Sequence, residues 1–338
     1  MLRYRTQGLL AAGLGLLLTG CFSDPDLKTG LRPEGSPEVL TVLATDANGL
    51  DAPAFCKYIG GQLDPKGPRE VVDLAVTGAP YEICPATEAE FTANGPAQLD
   101  PLVWNIRVMF DELLDGDAVE TLFDSEPDAN GNPQPCTANS DSCTGHIDTT
   151  LPFDLSCGGL NIAYDGYYYP NGNKDSSPVG PALILIPLDL APTGQDCQLT
   201  IKPSVVKDKQ GVSVDMGPNL NQFTIGVMEL DVVETDPLDA EAVAERSVLA
   251  PDGVVTFVLN SLVDAATVSA TDVTLTNLDT NLPVVADVTV TDNVIEVAGA
   301  VALPVGNYAA KITTGAVIDD VVGGTRTFGE IQVRFVVE

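Results

Sequence analysis

The segment Asp124-Ser125-Glu126-Pro127-Asp128-Ala129-Asn130-Gly131-Asn132 sets an oxygen-bearing side chain at every second position and bends on an Asn-Gly pair. Alternating carboxylate and amide oxygens around a glycine turn are what a Ca²⁺ loop requires, because this hard cation collects many oxygen ligands from a tightly curved chain. Read as an EF-hand, however, the loop puts Glu126 where Asp is demanded and Thr137 at the closing bidentate position, so the full pattern fails. Asp124, Glu126, Asp128, Asn130 and Asn132 are therefore candidate ligands of an irregular Ca²⁺ site. The favoured reading is a solvated turn whose Asp and Asn side chains bond their own backbone. Asp208 and Asp320, each three residues before a glycine, read as Asx-turn residues on the same grounds. No other cofactor is expected.

A second candidate is aromatic. Tyr164 is followed by Tyr167, Tyr168 and Tyr169 and then by Pro170-Asn171-Gly172-Asn173. Tyrosine offers rigid, amphipathic contact area, so Tyr167, Tyr168 and Tyr169 could present rings to a sugar or a protein partner. Strand alternation sends Tyr167 and Tyr169 one way and Tyr168 the other, which commits at least one ring to a core. Trp104, just ahead of the apolar run Ile106 to Phe110, reads as packing.

Enzyme chemistry finds little to work with. The single histidine, His146, lies in a loop bracketed by cysteines, with no Gly-x-Ser-x-Gly elbow beside it. No Gly-x-x-x-x-Gly-Lys loop occurs to cradle phosphate. Among 48 acidic residues some pair reaches glycosidase spacing by chance, so acid abundance carries no weight. The expectation is a chain without enzymatic activity. Those 48 acids face 16 basic residues, a formal net charge of −32, which also argues against a nucleic-acid partner, whose phosphates need clustered Lys and Arg.

The N-terminus says where the chain goes. Arg3 and Arg5 precede an apolar stretch from Leu9 to Leu18, too short to span a bilayer and ended by polar residues from Ser23. The tetrapeptide Leu18-Thr19-Gly20-Cys21 resembles the lipobox of bacterial lipoproteins. That resemblance implies cleavage after residue 20, lipidation of Cys21 and attachment to a membrane through acyl chains. Phe22 in place of Asp after the cysteine points, by the sorting rule of such lipoproteins, to the outer membrane of a Gram-negative bacterium. Removing residues 1–20 leaves 14 basic residues against 48 acidic, a net charge of −34. Residues 21–37 then read as a lipidated, flexible tether.

Export fits the remaining cysteines: Cys56, Cys84, Cys136, Cys143, Cys157 and Cys197 are even in number and lack a Cys-x-x-Cys pair. Six cysteines allow 15 connectivities. The preferred one pairs Cys56 with Cys84, Cys136 with Cys143, and Cys157 with Cys197. None lies beyond residue 197, so the two halves of the chain are stabilised differently.

The elements that must position all this are strands. Val255 to Leu259, Val273 to Thr276, Val288 to Thr291, Ile295 to Val297 and Gln332 to Val337 alternate cleanly and are separated by turn residues such as Asp292-Asn293 and Gly323-Gly324. Helical pattern is confined to Leu238 to Arg246 and a turn near Asp117 to Leu122. The first half repeats the plan: Ile106 to Val119 lines up with Val255 to Val268 at an offset of 149, and Val205 to Gly211 with Val317 to Gly323 at an offset of 112. The first copy thus carries 37 extra residues between these landmarks. Loop-like insertions are placed near 51–100 and 124–180.

The strand Val-x-Phe, a turn acid and Val, then a later Asp-x-x-Gly turn and a closing Phe strand, resemble bacterial Ig-like domains of the SbsA type. The segments Phe55-Cys56-Lys57-Tyr58, Arg107 to Leu114 and Tyr164 to Tyr167 are also similar to Ig-like lipoproteins of myxobacterial type. The resemblance implies an all-β chain: two tandem Ig-like β-sandwich domains, 38–228 with the insertions and 229–338 without. It implies a place in the cell envelope, but no activity, since such modules serve as spacers, surface-layer parts and adhesins alike. Two functions follow as expectations. One is a structural or spacer lipoprotein; the other is a Ca²⁺-assisted adhesin that binds an envelope protein or polysaccharide through the insertions.

Overall fold

A computed structural model describes residues 35–45, 51–67, 71–72, 80–81, 83–94, 98–102, 105–116, 151–169, 181–214 and 222–338. The N-terminal unit contains β1 (Val39–Thr45), β2 (Asp51–Cys56), the short pairs β3 (Tyr58–Ile59) with β4 (Gln62–Leu63) and β5 (Val71–Val72) with β6 (Pro80–Tyr81), then α1 (Glu88–Asn94). There follow β7 (Gln98–Leu99), β8 (Ile106–Phe110), β9 (Phe153–Cys157), β10 (Leu160–Asn161), β11 (Tyr164–Tyr169), β12 (Ala182–Pro187), β13 (Asp196–Ile201) and β14 (Gln222–Val227). The C-terminal unit runs β15 (Val232–Asp236), β16 (Ser247–Leu249), β17 (Val255–Leu259), β18 (Val273–Asn277), β19 (Leu282–Val284), β20 (Ala286–Thr291), β21 (Val294–Gly299), β22 (Gly306–Ile312), β23 (Val317–Asp319), β24 (Thr325–Thr327) and β25 (Ile331–Val337).

The strand order defines the class. The C-terminal unit has a sheet ordered β15-β17-β21-β20 and another ordered β16-β25-β22-β18-β19, with β16 parallel to β25. Lettered as an immunoglobulin sandwich, these are A-B-E-D facing A′-G-F-C-C′. The N-terminal unit repeats the order: β11-β12-β8-β1 is D-E-B-A, extended by β2, and β10-β9-β13-β14-β7 is C′-C-F-G-A′, with β7 parallel to β14. The protein is all-β, built of two Ig-like β-sandwiches. Tyr308, near the start of F in the second unit, donates its hydroxyl to the Pro304 carbonyl at 2.8 Å, the tyrosine-corner arrangement of such folds.

Each sandwich closes on its own core. Phe257, Leu259, Ile295 and Val297 meet Tyr308, Ala310, Val333 and Phe335 in the second unit; Val108, Phe110, Leu183 and Tyr164 meet Phe153, Leu155, Leu199 and Ile225 in the first. In β20 alternate side chains face outward as Asp287, Thr289 and Thr291, and in β17 as the half-buried Thr256 and Val258, so one face of that sheet meets water. The first unit differs because all seven residues of β1 are buried. A second cluster lies on the outer face of its D-E-B-A sheet, where Leu43, Met109, Tyr167 and Ile184 meet Ile83, Cys84, Phe91 and Leu63 from the segment after β2. That segment is a third layer.

Several expectations need correction here. The insertion near 51–100 is not simply loop: it supplies β2, which joins the sheet, and the covering layer with α1. The stretch 124–180 contains strands C, C′ and D. Paired registers place Leu155 opposite Leu199 as Leu275 is opposite Ala310, and Gly166 opposite Leu185 as Val288 is opposite Val297. The extra residues therefore divide between the B–C and D–E connections. The stretch Leu238 to Arg246 forms only the three-residue 3₁₀ turn Val243–Glu245, with no buried residue, while Asp117 to Leu122 lies outside the described residues.

Two disulfides are present among the described residues of the first unit. Cys56–Cys84 ties the covering layer to the end of β2 across 28 residues. Cys157–Cys197 links directly opposed residues of neighbouring strands C and F across 40 residues, unlike the inter-sheet B–F bridge of antibody domains. Loop closure of these lengths restricts the unfolded chain by about 4 kcal/mol each. Reduction is therefore expected to lower the melting temperature of the first unit and leave the second unchanged. Calorimetry with and without reductant should show two coincident or overlapping transitions separating into two.

Candidate functional site

The residues singled out by chemistry fall in different places. Tyr168 is buried in the main core, and its hydroxyl accepts the Leu114 N–H at 2.9 Å. Tyr167 is buried in the outer cluster, and Tyr169 packs against that cluster half-buried. The alternation of the two faces is as expected, but Tyr167 and Tyr168 have no ring surface to offer a ligand. Tyr164 is also core; its hydroxyl donates to the Phe153 carbonyl and accepts the Phe153 N–H, and burial pushes its phenol up. Cys21, Trp104, the loop Asp124 to Asn132 with Glu126, Asp128 and Asn130, Cys136, Cys143 and His146 lie outside the described residues. Among the described residues no group of three or more His, Cys, Asp or Glu is arranged to hold a metal ion.

Asp208 and Asp320 are turn residues. Each follows strand F, and each turns one carboxylate oxygen onto two backbone amides: Asp208 Oδ1 accepts from Gln210 and Val212 at 2.9 and 2.7 Å, and Asp320 Oδ1 from Val322 and Gly324 at 2.9 and 2.8 Å. The chain beyond strand B reaches the same turn in both units, Leu114 bridging to Asp208 and Val263 to Asp320. Strand A starts beside it in both. Asp111 Oδ1 accepts the Glu38 N–H and Asn260 Oδ1 the Asp231 N–H.

At this end the two units diverge, and the second one makes a contact with the first. The free oxygen of Asp320, Oδ2, accepts the N–H of Thr193 from the first unit at 2.7 Å. Both residues are buried. A Cβ on Gly324 would come within 2.5 Å of that same Thr193 nitrogen and of Asp320 Oδ2, so only glycine admits the contact. The connecting residues are held too: Asn260 Nδ2 donates to the Glu229 carbonyl at 2.8 Å, Leu230 enters the second core, and Glu229 pairs with Arg326. Thr193 did not stand out in the sequence, and Gly324 did so only as a turn residue. The Gly323-Gly324 pair was the available signal, since a turn needs only its first, positive-φ glycine.

In the first unit the same end is acidic. Asp111 and Glu112 stand where the second unit has Asn260 and Ser261, and all four are buried. Lys66 Nζ, from the covering segment, donates to Asp111 Oδ2 at 2.7 Å, and this bond holds the lysine above its ordinary value. Lys57 pairs with Glu38 at 2.5 Å and Asp64 at 3.7 Å. Glu112 is pushed up to about 7, first by burial and then by the neighbouring Asp111 and Asp208 charges and by Glu38, with Lys66 opposing.

No family model matches the chain, and none of the curated proteins does. Distant likenesses to solved structures exist. The Escherichia coli adhesin FdeC is 10% identical with a TM-score of 0.20, covering 70% of this chain and 59% of its own. A crystal structure of the S-layer protein SbsC, residues 31–844, is 10% identical at a TM-score of 0.19, covering 69% and 39%. SbsC domains 5–6 are 12% identical at 0.17, covering 69% and 88%. This chain thus spans about three fifths of the adhesin structure. The Ig-like class rests on the strand order, not on these likenesses.

Because the folded value of Glu112 lies above the unfolded 4.5, the native state holds the extra proton between these limits. Its contribution to stability is present below about pH 4.5 and is lost as pH rises toward 7. Glu112→Gln should remove that slope. Denaturant melts of the two proteins at pH 5 and pH 8 are expected to show the wild type losing more stability than the variant over this range.

Proposed function

We propose that this chain is a non-enzymatic structural module of the cell envelope, a spacer anchored in the outer membrane through lipid on Cys21. The observation that carries the reading is the junction, where Thr193 N–H, Asp320 and Gly324 join the units end to end. The F–G turn of the second unit receives the E–F loop of the first. Strand β13 begins at that loop and ends toward the Asp208 turn, so the tether enters the first unit at the end away from the junction. The second unit then extends further from the membrane, as a spacer requires.

The use of reactive side chains supports the same reading. Asp208 and Asp320 shape turns, Tyr164 and Tyr168 bond backbone in the core, and the segment after β2 closes a sheet face. High negative charge suits solubility at a crowded surface. A hydrogen bond to a buried carboxylate contributes about 1.5–3 kcal/mol, enough to suppress hinging.

Thr193→Pro removes the donated N–H without touching the turn that Asp320 makes in its own unit; Gly324→Val fills the same contact. Small-angle scattering of the wild type is expected to fit one elongated rigid particle. Either variant should shift the data to two hinged bodies; with Thr193→Pro each unit keeps its own melting transition, whereas Gly324→Val also presses on Asp320 and lowers that of the second unit. A wild type that already scatters as freely hinged bodies would refute the spacer reading.

A further inference from the structure

The edges of the sheets are not equally protected. Strand β15 is broken by a bulge between Val232 and Glu234; β2 carries Pro53 and pairs with β1 across another bulge; β16 and β19 are three residues long, the latter with Pro283. Strand β11 is six residues long, and five of them are buried. Such devices keep open edges from pairing with other chains. Strand β20, Ala-Asp-Val-Thr-Val-Thr, has none of them: six residues in unbroken register with β21, without Pro, Lys or Arg, and alternately half-buried and exposed.

Its free hydrogen-bonding groups follow from the register. Ala300 N–H donates to the Val285 carbonyl at 3.0 Å, and the β20–β21 pairs continue that register from Ala286↔Gly299 to Thr291↔Val294. In an antiparallel ladder such bonded pairs recur at every second residue. Asp287, Thr289 and Thr291 therefore bond to β21, and the N–H and C=O groups of Ala286, Val288 and Val290 point away from the sheet.

We infer that β20 is a self-association edge, on which a second copy of this chain pairs β20 antiparallel to β20. With Val288 opposite Val288 of the other copy, Ala286 faces Val290, and all three outward N–H groups and carbonyls of each strand find partners. Asp287 then faces Thr289. Shifting the register by two residues one way puts Asp287 against Asp287, a like-charge pair that sheets disfavour. The shift the other way leaves Ala286 facing the turn at Asp292. One register is thus selected, and it joins two four-stranded sheets into one of eight. The half-buried Val288 and Val290 gain cover in the process. The contact is small and each copy from residue 21 carries a net charge of −34, so association is weak and strengthens as salt screens the repulsion.

Sedimentation velocity of the chain from residue 21 with Cys21→Ser, in low and high salt, tests this. The dimer fraction should rise with concentration and with salt, and Val288→Pro should weaken association at least tenfold, since proline removes an N–H that β21 does not use. Asp287→Cys with Thr289→Cys should cross-link between copies under mild oxidation, because non-hydrogen-bonded pairs bring Cα atoms to disulfide distance; Asp287→Cys alone should not. The double cysteine variant decides the matter even where the proline variant misfolds. A wild type that stays monomeric throughout, a dimer indifferent to a folded Val288→Pro, or equal cross-linking by the single variant would each overturn the inference.

Discussion

The structure depends on a buried carboxylate that organises backbone amides. After strand F each sandwich must turn back toward G, and the turn has amides with no strand to bond. Asp208 and Asp320 supply one oxygen each to two of these amides, and the buried carboxylate is itself satisfied by them. A carboxylate has a second oxygen with further acceptor capacity. In the second unit that oxygen takes a third amide, Thr193 of the neighbouring sandwich. A local turn device thereby becomes the joint between units, with Gly324 left without a side chain to make room.

The same end of the first unit is built differently. Asp111 and Glu112 replace Asn260 and Ser261, and the covering segment brings Lys66 to meet them. Burying several carboxylates together is unfavourable unless cations or protons compensate. Lys66 compensates Asp111, and Glu112 is raised by burial and its acidic neighbours. The covering segment thus has two attachments, the Cys56–Cys84 bridge at the outer sheet face and the lysine contacts at the acidic end.

How much of this was legible depended on whether a residue's role was set locally. Val255 to Leu259 reads as β17 residue for residue because one face of its sheet is wet and the period of two survives. Strand β1, Val-Leu-Thr-Val-Leu-Ala-Thr, has both faces covered and no alternation to read. Helix α1 has no buried residue and hence no apolar stripe, yet a sign of it was present: Thr87 and Glu90 exchange side-chain-to-amide bonds at 3.3 Å as a capping box. The repeat offsets located Asp208 and Asp320 as equivalents, but two insertions read as one because strands C and D of the first unit lie between them. The burial of Tyr167 had no local signal, since its cover comes from Ile83, Cys84 and Phe91, some eighty residues earlier.

The two sandwiches share a topology but not a division of labour, and the difference traces to outward positions on strands B and E. In the first unit Met109, Ala182 and Ile184 face out from β8 and β12, and such a surface requires covering. In the second, the smaller Val258 and Val294 take the places of Met109 and Ala182 and stay half-buried, and Glu296 replaces Ile184 beside Thr256, so no covering layer is needed. The covered unit carries the long connections and the disulfides, whereas the bare unit keeps an open, regular edge at β20. Its described contact with the neighbouring unit is made through Asp320. Among the described edge strands β20 is the least protected, which makes a strand edge the feature of the second unit best shaped for contact with another molecule.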